Sequence, residues 1–459
     1  MKKLILISCL CSAIVVWAGC TDFLGIKPNV NLTTPETYAD LRAMLDEGSD
    51  VIEGYTGIIE MGIDDYYLTH NNWAKRRAFE QDVYLWKPEP FYEISNVGSL
   101  WSLPYRAVSK ANIVLETLQR NKLEHTAIGK GLKGEALFIR SWHFIHLLLG
   151  YAPVYDPQTA ATALGIPIRL SSSVEVLTTR ASLLDSYMQV LNDLKEAAEL
   201  LPDKTEYLTQ ATRLVALAAL ARVYLAMGDY ELALHHADLV LAARPQLMDL
   251  NTLNLGILFP FPAKQNPEIL YYASSAGASG VLLASRSNVD TLIFQSFEAN
   301  DLRKQAFFTR RADGNHSFKG FYTGSERSYF AGLASNELYL IKAECLMRLD
   351  KLQEGMDVLN QLLHTRWKTG TYVPFQIADK VSTLKILYSE RRKELMRRGV
   401  RWMDLKRLNR EPDFAKTLVR KMLIDGKEEI FELPANDFRY VHLIPQDVIR
   451  ITGIAQNPR

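Results

Sequence analysis

Apolar positions recur at three- and four-residue spacing along most of the chain. Between 380 and 408, Leu384, Leu387, Tyr388, Arg391 and Leu395 fall on one stripe, which predicts a helix with a single inward face. That helix is expected to stop at Gly399. A glycine enters the left-handed conformation without penalty, and Arg397 and Arg398 just before it suit the negative end of the helix dipole. A second helix follows, with Trp402, Leu405 and Leu408 on its buried side. Thr34 and Pro35 mark another start, as N-cap and first helical residue. Trp101, Tyr105, Val108, Asn112 and Leu115 space out along a further helix, and 134–146 and 183–201 supply two more. Two helix pairs stand out, at 220–245 and 343–363. In the first, Ala221, Tyr224, Gly228, Ala233, Ala237 and Pro245 fall where a tetratricopeptide-like pair wants small residues at the crossing and a terminating proline; Gly355 holds the close-packed position in the second. Such pairs bury their faces only against neighbours, so they predict one stacked helical scaffold.

Two stretches break this pattern. Residues up to about Asn96 are irregular and rich in aromatic side chains, among them Trp73, Trp86, Phe91 and Tyr92. From about 246 to 334 helical periodicity disappears. There Asn266 to Tyr272 reads as a short strand after a turn and Ser274 to Gly280 as a flexible loop, and the stretch carries Phe307, Phe308, Phe318, Phe321, Tyr322, Tyr329 and Phe330. A long irregular insertion in a compact domain is usually functional.

Charge is dense in the 390–407 run. Glu390 and Glu394 stand one turn apart, Glu394 is four residues before Arg398, and Arg401 is three before Asp404, all spacings at which helical side chains meet. Spacing alone leaves two readings, a solvated face or a charge network between two helices. Over the whole chain 53 basic residues balance 52 acidic ones. A nucleic-acid binder normally carries a basic face, and nothing in this balance supplies a strong one, so no nucleic-acid partner is expected. Of four cysteines, Cys9, Cys11 and Cys20 lie at the start and Cys345 has no partner further on, so no disulfide framework is expected and Cys345 reads as a small buried residue. Residues 1–19 combine a basic start with an apolar run of signal-peptide length. They end in Ala18-Gly19-Cys20, small residues before a cysteine that resemble a bacterial lipobox, although Trp17 stands where Leu or Val is usual.

Motifs for catalysis are sparse. There is no phosphate loop, dinucleotide fingerprint or zinc-protease motif, and the glycines around Ser279 are not spaced as a nucleophile elbow. His143 and His146 are one turn apart, as metal ligands can be, but nothing completes a shell and core packing is expected; His235 and His236 are neighbours on different faces. Paired carboxylates such as Asp64 and Asp65 keep an all-helical glycosidase open as an alternative. No catalytic residue, metal or cofactor is expected.

The 390–407 run resembles the ER-x-x-EL-x-x-x-G-x-R-x-x-DL-x-R signature of SusD/RagB-like proteins, the outer-membrane nutrient-binding lipoproteins of Bacteroidetes. The matching positions are Glu390, Arg391, Glu394, Leu395, Gly399, Arg401, Asp404, Leu405 and Arg407. Further blocks are similar to the same family: Trp101, Tyr105 and Asn112; Gly134-Glu-Ala with Arg140; Asn300-Asp-Leu-Arg303; and 343–363. Departures lie at Leu333-Ala-Ser-Asn, where relatives commonly carry an arginine before the glutamate matching Glu337, and in shortened closing elements at Leu443-Ile-Pro and Gln456-Asn-Pro.

The resemblance implies a mostly α fold of tetratricopeptide-like helix pairs with a loop-rich insertion and a few short strands. It implies a signal peptide over 1–19, a lipidated tether over 20–33 with Cys20 acylated, and one domain over 34–459. It also implies an anchor in the outer membrane facing the exterior. The expected partners are a SusC/RagA-like TonB-dependent transporter and an oligosaccharide or peptide ligand, with no nucleic acid. The signature residues are expected to be structural. Aromatic faces stack on sugar rings and flat amide or guanidinium groups bond hydroxyls, so the ligand candidates are Trp73, Trp86, Tyr92 and Asn96 from the first region and Phe318, Tyr322 and Tyr329 from the insertion. A helical-repeat adaptor that binds only proteins is the alternative from another class.

Overall fold

The computed structural model describes residues 35–89, 94–263, 265–275, 279–424 and 426–459, and the backbone alone of 94–99 and 279. The expected signal peptide, Cys20 and tether therefore lie outside the described residues. Of two units, 1–37 and 38–459, the helices of eight residues or more among the described residues are, in the second, α1 (Tyr38–Leu45), α2 (Ile94–Arg120), α3 (Ala127–Tyr151), α4 (Leu183–Leu200), α5 (Arg213–Met227), α6 (Tyr230–Ala243), α7 (Ser335–Arg348), α8 (Leu352–His364), α9 (Lys380–Glu394) and α10 (Arg401–Leu408). Neighbours pack in order, α2 on α3, α3 on α4, α4 on α5 and so on to α7 on α8, with α9 against α7 and α8. This is the stacked scaffold that the helix pairs predict.

Sequence explains the depth of each layer. α3 is buried on every side from Gly134 to Tyr151 and α5 from Val215 to Leu225, so both lack a polar face and sit between other helices. α2 instead buries a stripe of Leu100, Ala107, Val108, Ala111, Val114 and Leu118. Pro104 inside α2 removes the hydrogen bond that would reach the carbonyl four residues back. That carbonyl, Leu100 O, accepts from the Tyr151 hydroxyl at 3.3 Å, which ties α2 to the end of α3. Between α7 and α8 the crossing is tight: a Cβ on Gly355 would stand 2.8 Å from the Ala343 carbonyl oxygen and 2.6 Å from Met347 Cγ. Gly228 does not share that role. It closes α5 at φ +80° with open space around it, so its contribution is conformational.

Buried ion pairs cross-link the layers at the residues that carry the family resemblance. Arg140 binds Asp193 through two 2.8 Å hydrogen bonds and donates to Asn112 at 2.9 Å, joining α2, α3 and α4. Glu135 takes Arg42 of α1. Glu337, which has no arginine just before it, is met from α5 by Arg222 at 2.7 Å. His143 and His146 are fully buried as expected; Tyr55 stacks on His143 at 4.0 Å, and each histidine bonds a backbone carbonyl.

The stretch 246–334 lacks helical periodicity, but it is not unstructured. Short strands and one-turn helices there enclose a second core built from Phe261, Phe297, Phe307, Phe308, Phe318, Phe321, Tyr322 and Phe330. Its strands form two-stranded antiparallel pairs, including 269–271 with 333–334, 274–275 with 329–330 and 308–310 with 316–318.

α9 ends at Glu394, four residues short of the predicted end, and the two helical pairings expected from spacing do not form. Glu394 accepts from Arg366 (2.7 Å), Arg303 (3.3 Å) and Asn336 (2.8 Å), not from Arg398. Arg398 lies over the rings of Tyr322 and Phe330, at 4.0 and 4.5 Å from their centroids. Arg397 and Gly399 then both take positive φ, +58° and +72°. Arg401 binds Asp64, at 2.8 Å, and not Asp404. The pair that joins α9 to α10 is Arg391 with Asp404, at 2.8 Å, and Arg407 bridges Asp404 to Glu344 of α7. Glu390 completes the network through Arg303 and Lys393.

Candidate functional site

The two aromatic regions that the sequence singles out are brought together. Strand 66–68 pairs antiparallel with 287–289, with Tyr66 opposite Val289 and Leu68 opposite Ser287. Around this ladder Asn72 donates to the Arg286 carbonyl (2.8 Å), Arg76 to that of Gly280 (3.1 Å) and the Tyr67 hydroxyl to Asn315 (3.0 Å). A bridge between Gly54 and Ser275 adds a second junction. All but the Tyr67–Asn315 link use backbone groups of the non-helical stretches, which thus satisfy one another.

Individual candidates are placed differently from one another. Trp73 is half-buried, its indole N–H bonded to the Gln81 carbonyl at 3.2 Å and its ring 5.7 Å from His70. Trp86, Phe318, Tyr322 and Tyr329, expected on a ligand-facing surface, are each only 3 % exposed. Trp86 donates to the Gly62 carbonyl (2.9 Å) under the Arg420 guanidinium. Phe318 packs edge-on to Phe321 at 4.9 Å within the second core. Tyr322 donates to Glu268, and the Tyr329 hydroxyl donates to the Thr56 carbonyl at 2.5 Å. Their hydroxyls and faces are thus committed inside the fold. Tyr92 lies outside the described residues, as does the side chain of Asn96.

Beside Tyr329 a small cleft of about 10 Å³, room for a single water, is lined by Ser275, Leu282, Phe321, Glu326, Arg327, Ser328 and Arg397. Arg397 is the residue there that sequence reasoning missed, having been assigned only to a helix end. It is buried, its Nε and Nη1 have no hydrogen-bond partner among the described residues, and its guanidinium rests 4.8 Å over Tyr66. Burial lowers its pKa. Glu60 lies close enough to interact and is itself pushed up to about 7 by burial and by Asp65, against the pull of Arg397. The positive φ at Arg397, which no hydrophobic pattern signals, turns it toward the cleft instead of along α9. The exposed Arg327 and the half-exposed Glu326 and Ser328 add polar groups at the rim.

This face carries the half-buried Trp73 and the polar Glu326, Arg327 and Ser328. Asp64 and Asp65, the paired carboxylates, are engaged by Arg401 and Arg392. Among the described residues no group of three or more His, Cys, Asp or Glu is gathered as metal ligands would be, and no helix is long and apolar enough to cross a membrane.

A family model described as "Starch-binding associating with outer membrane" matches residues 22–225, and the SusD family model matches 335–442. No curated protein matches the chain. Among solved structures, a SusD superfamily protein from Bacteroides vulgatus superposes with a TM-score of 0.75 at 22% identity, covering 92% of this chain and 99% of its own. One from Bacteroides thetaiotaomicron gives 0.72 at 20%, covering 92% and 98%. A SusD-like carbohydrate binding protein from Bacteroides vulgatus gives 0.68 at 20%, covering 91% and 96%.

Proposed function

Because this chain belongs to the SusD family, we propose that it is a nutrient-binding protein that captures an oligosaccharide and delivers it to a SusC/RagA-like TonB-dependent transporter. On this reading it is held on the outer membrane by lipid on Cys20, facing the exterior, and performs no chemistry on its ligand. An acyl anchor contributes about 0.8 kcal/mol per buried methylene, so more than one chain holds durably.

The observation that carries the reading is the ladder between 66–68 and 287–289. It sets the Trp73 segment beside the insertion on one face of a rigid scaffold. Variable loops on a fixed framework are where binding residues concentrate, and this face presents Trp73, Arg327 and Ser328 to solvent or at its edge. A glycan is favoured over a peptide by the carbohydrate-binding relative and by this mix of ring and polar groups.

Titration of the full chain in detergent against panels of neutral oligosaccharides and mixed peptides tests the reading, repeated with Trp73→Ala and Arg327→Ala. Saturable binding of one glycan class, weakened in either variant, is expected. Saturable binding of peptides alone overturns the glycan assignment. Silence across both panels, with a transporter still co-purifying from membranes, favours the adaptor.

A further inference from the structure

A second recess, with none of the cleft's lining residues, lies between α9, α10 and the segment 413–416 and measures about 400 Å³. Ligand sites for small molecules fall in roughly the 300–1,000 Å³ range, which suits one or two sugar rings. Two aromatic walls bound it, Tyr388 and Phe414, with ring centroids 5.0 Å apart at 80°. The Tyr388 hydroxyl donates inward to Glu344 at 3.1 Å, which fixes the ring.

The polar lining is dominated by cations. Arg401 binds Asp64 through Nε and Nη2 at 2.8 and 2.9 Å, Lys416 binds the same carboxylate at 2.7 Å, and Arg392 reaches it at 3.3 Å while bonding Asp65 at 2.8 Å. One carboxylate is therefore shared by three cations. Burial alone would raise the Asp64 pKa, yet Arg401 and Arg392 hold it well below the usual carboxylate range. The Nη1 groups of Arg392 and Arg401 make no hydrogen bond among the described residues, and both arginines line the recess. Lys385 adds a further exposed cation, whereas among the described residues Asp413 is the sole acidic one in the lining. Cations remain in excess even with Asp64 and Asp65 included.

We propose that this recess binds a carboxylate-bearing sugar, a uronic acid unit of an acidic glycan. The ring lies against Tyr388 and Phe414, and the carboxylate meets Arg392, Arg401 and Lys416. Guanidinium forks bind carboxylates through short, charge-assisted hydrogen bonds, and these donors are already oriented by Asp64. A neutral sugar, which needs acceptors as well as donors, would find only Asp413 among charged acceptors in the lining. The choice of a sugar rests on the glycan-capture reading; the choice of an acid rests on the lining.

The test is titration of the full chain in detergent with tri-galacturonate and with its carboxyl-reduced trimer, in low and high salt. It is repeated with the double variant Lys385→Gln/Lys416→Gln and with Trp73→Ala. Both lysines are exposed, and Asp64 keeps Arg401 and Arg392 when Lys416 is replaced, so the double variant is expected to fold. Tri-galacturonate is expected to bind at least 10-fold tighter than the reduced trimer. That preference should shrink several-fold in the double variant and in high salt. Equal affinity for the two trimers, or a preference indifferent to the lysines, overturns the proposal. Tighter binding of a tri-glutamate peptide with the same lysine dependence overturns the sugar assignment. A neutral glycan whose binding responds only to Trp73→Ala leaves the capture reading standing and refutes this one. Silence toward acidic and neutral glycans alike refutes both.

Discussion

Glu60 accepts the backbone amide of Gly399 at 2.8 Å, joining a one-turn helix near the start of the described chain to the turn between α9 and α10. Its second carboxyl oxygen has no hydrogen-bond partner among the described residues. Arg397 lies near but outside ion-pair distance, so burial outweighs its attraction and the carboxyl titrates at about 7.

The sign follows from linkage. Glu60 has a folded pKa raised above its unfolded value near 4.5. The folded state therefore binds more protons between about pH 4.5 and 7, and stability from this group is lost as pH rises through 7. A shift of that size corresponds to about 3 kcal/mol. Glu60→Gln should remove the dependence, so that the variant gains on the parent between pH 5 and 8. Urea unfolding of both proteins across that range checks it, and a constant difference would contradict the assignment.

Arg391 and Asp404 form the buried pair that closes the α9–α10 turn. Asp404→Asn leaves Arg391 without its carboxylate in the interior, where Nη1 and Nη2 already lack partners among the described residues. Breaking a buried pair from one side typically costs about 3–5 kcal/mol. Denaturant unfolding should show a loss of that order. The double variant Arg391→Met/Asp404→Asn should lose less than the two single losses added together, as expected for residues in direct contact.

The helices were legible because periodicity reports burial directly: Leu384, Leu387 and Leu395, and then Trp402 and Leu405, all face inward as spaced. The charge network was legible as a resemblance but not as a set of pairs. Local spacing suggested Glu394 with Arg398 and Arg401 with Asp404, whereas the partners come from Arg366, Arg303 and Asp64, remote in sequence and placed only by tertiary packing. The burial of Trp86, Phe318, Tyr322 and Tyr329 was hidden for a similar reason. A phenylalanine-rich stretch without periodicity looks the same whether its rings face solvent or a second core, and Phe307, Phe308, Phe318 and Phe321 took the core. Arg397 carried no signal, since its role depends on a left-handed backbone.

Gly355 and Gly228 should respond differently to a methyl group. At Gly355 the added Cβ meets the Ala343 carbonyl oxygen and Met347 Cγ, so α7 and α8 must separate; overpacking of this kind costs about 1–3 kcal/mol. Met347→Ala should rescue Gly355→Ala only in part, because the backbone oxygen stays in place. At Gly228 space is free and only the positive φ resists, for about 1–2 kcal/mol, and no neighbouring substitution should relieve it. Unfolding free energies of the four variants separate the two causes.

Trp86→Ala and Trp73→Ala should part stability from binding. Trp86 is buried against Gly62 and under Arg420, and removing a buried aromatic ring of this kind costs about 3–5 kcal/mol. Its loss should lower the unfolding free energy by that amount while glycan affinity, measured well below the unfolding transition, stays within a factor of two or three. Trp73 is half-buried with one indole hydrogen bond, so its loss should cost the fold about 1 kcal/mol and affinity at least tenfold. If Trp86→Ala instead abolishes binding in protein that is still folded by circular dichroism, the ligand reaches a ring that this structure encloses. The face around 66–68 and 287–289 must then open to admit it, since Trp86 and Tyr66 share Arg420 beneath that ladder.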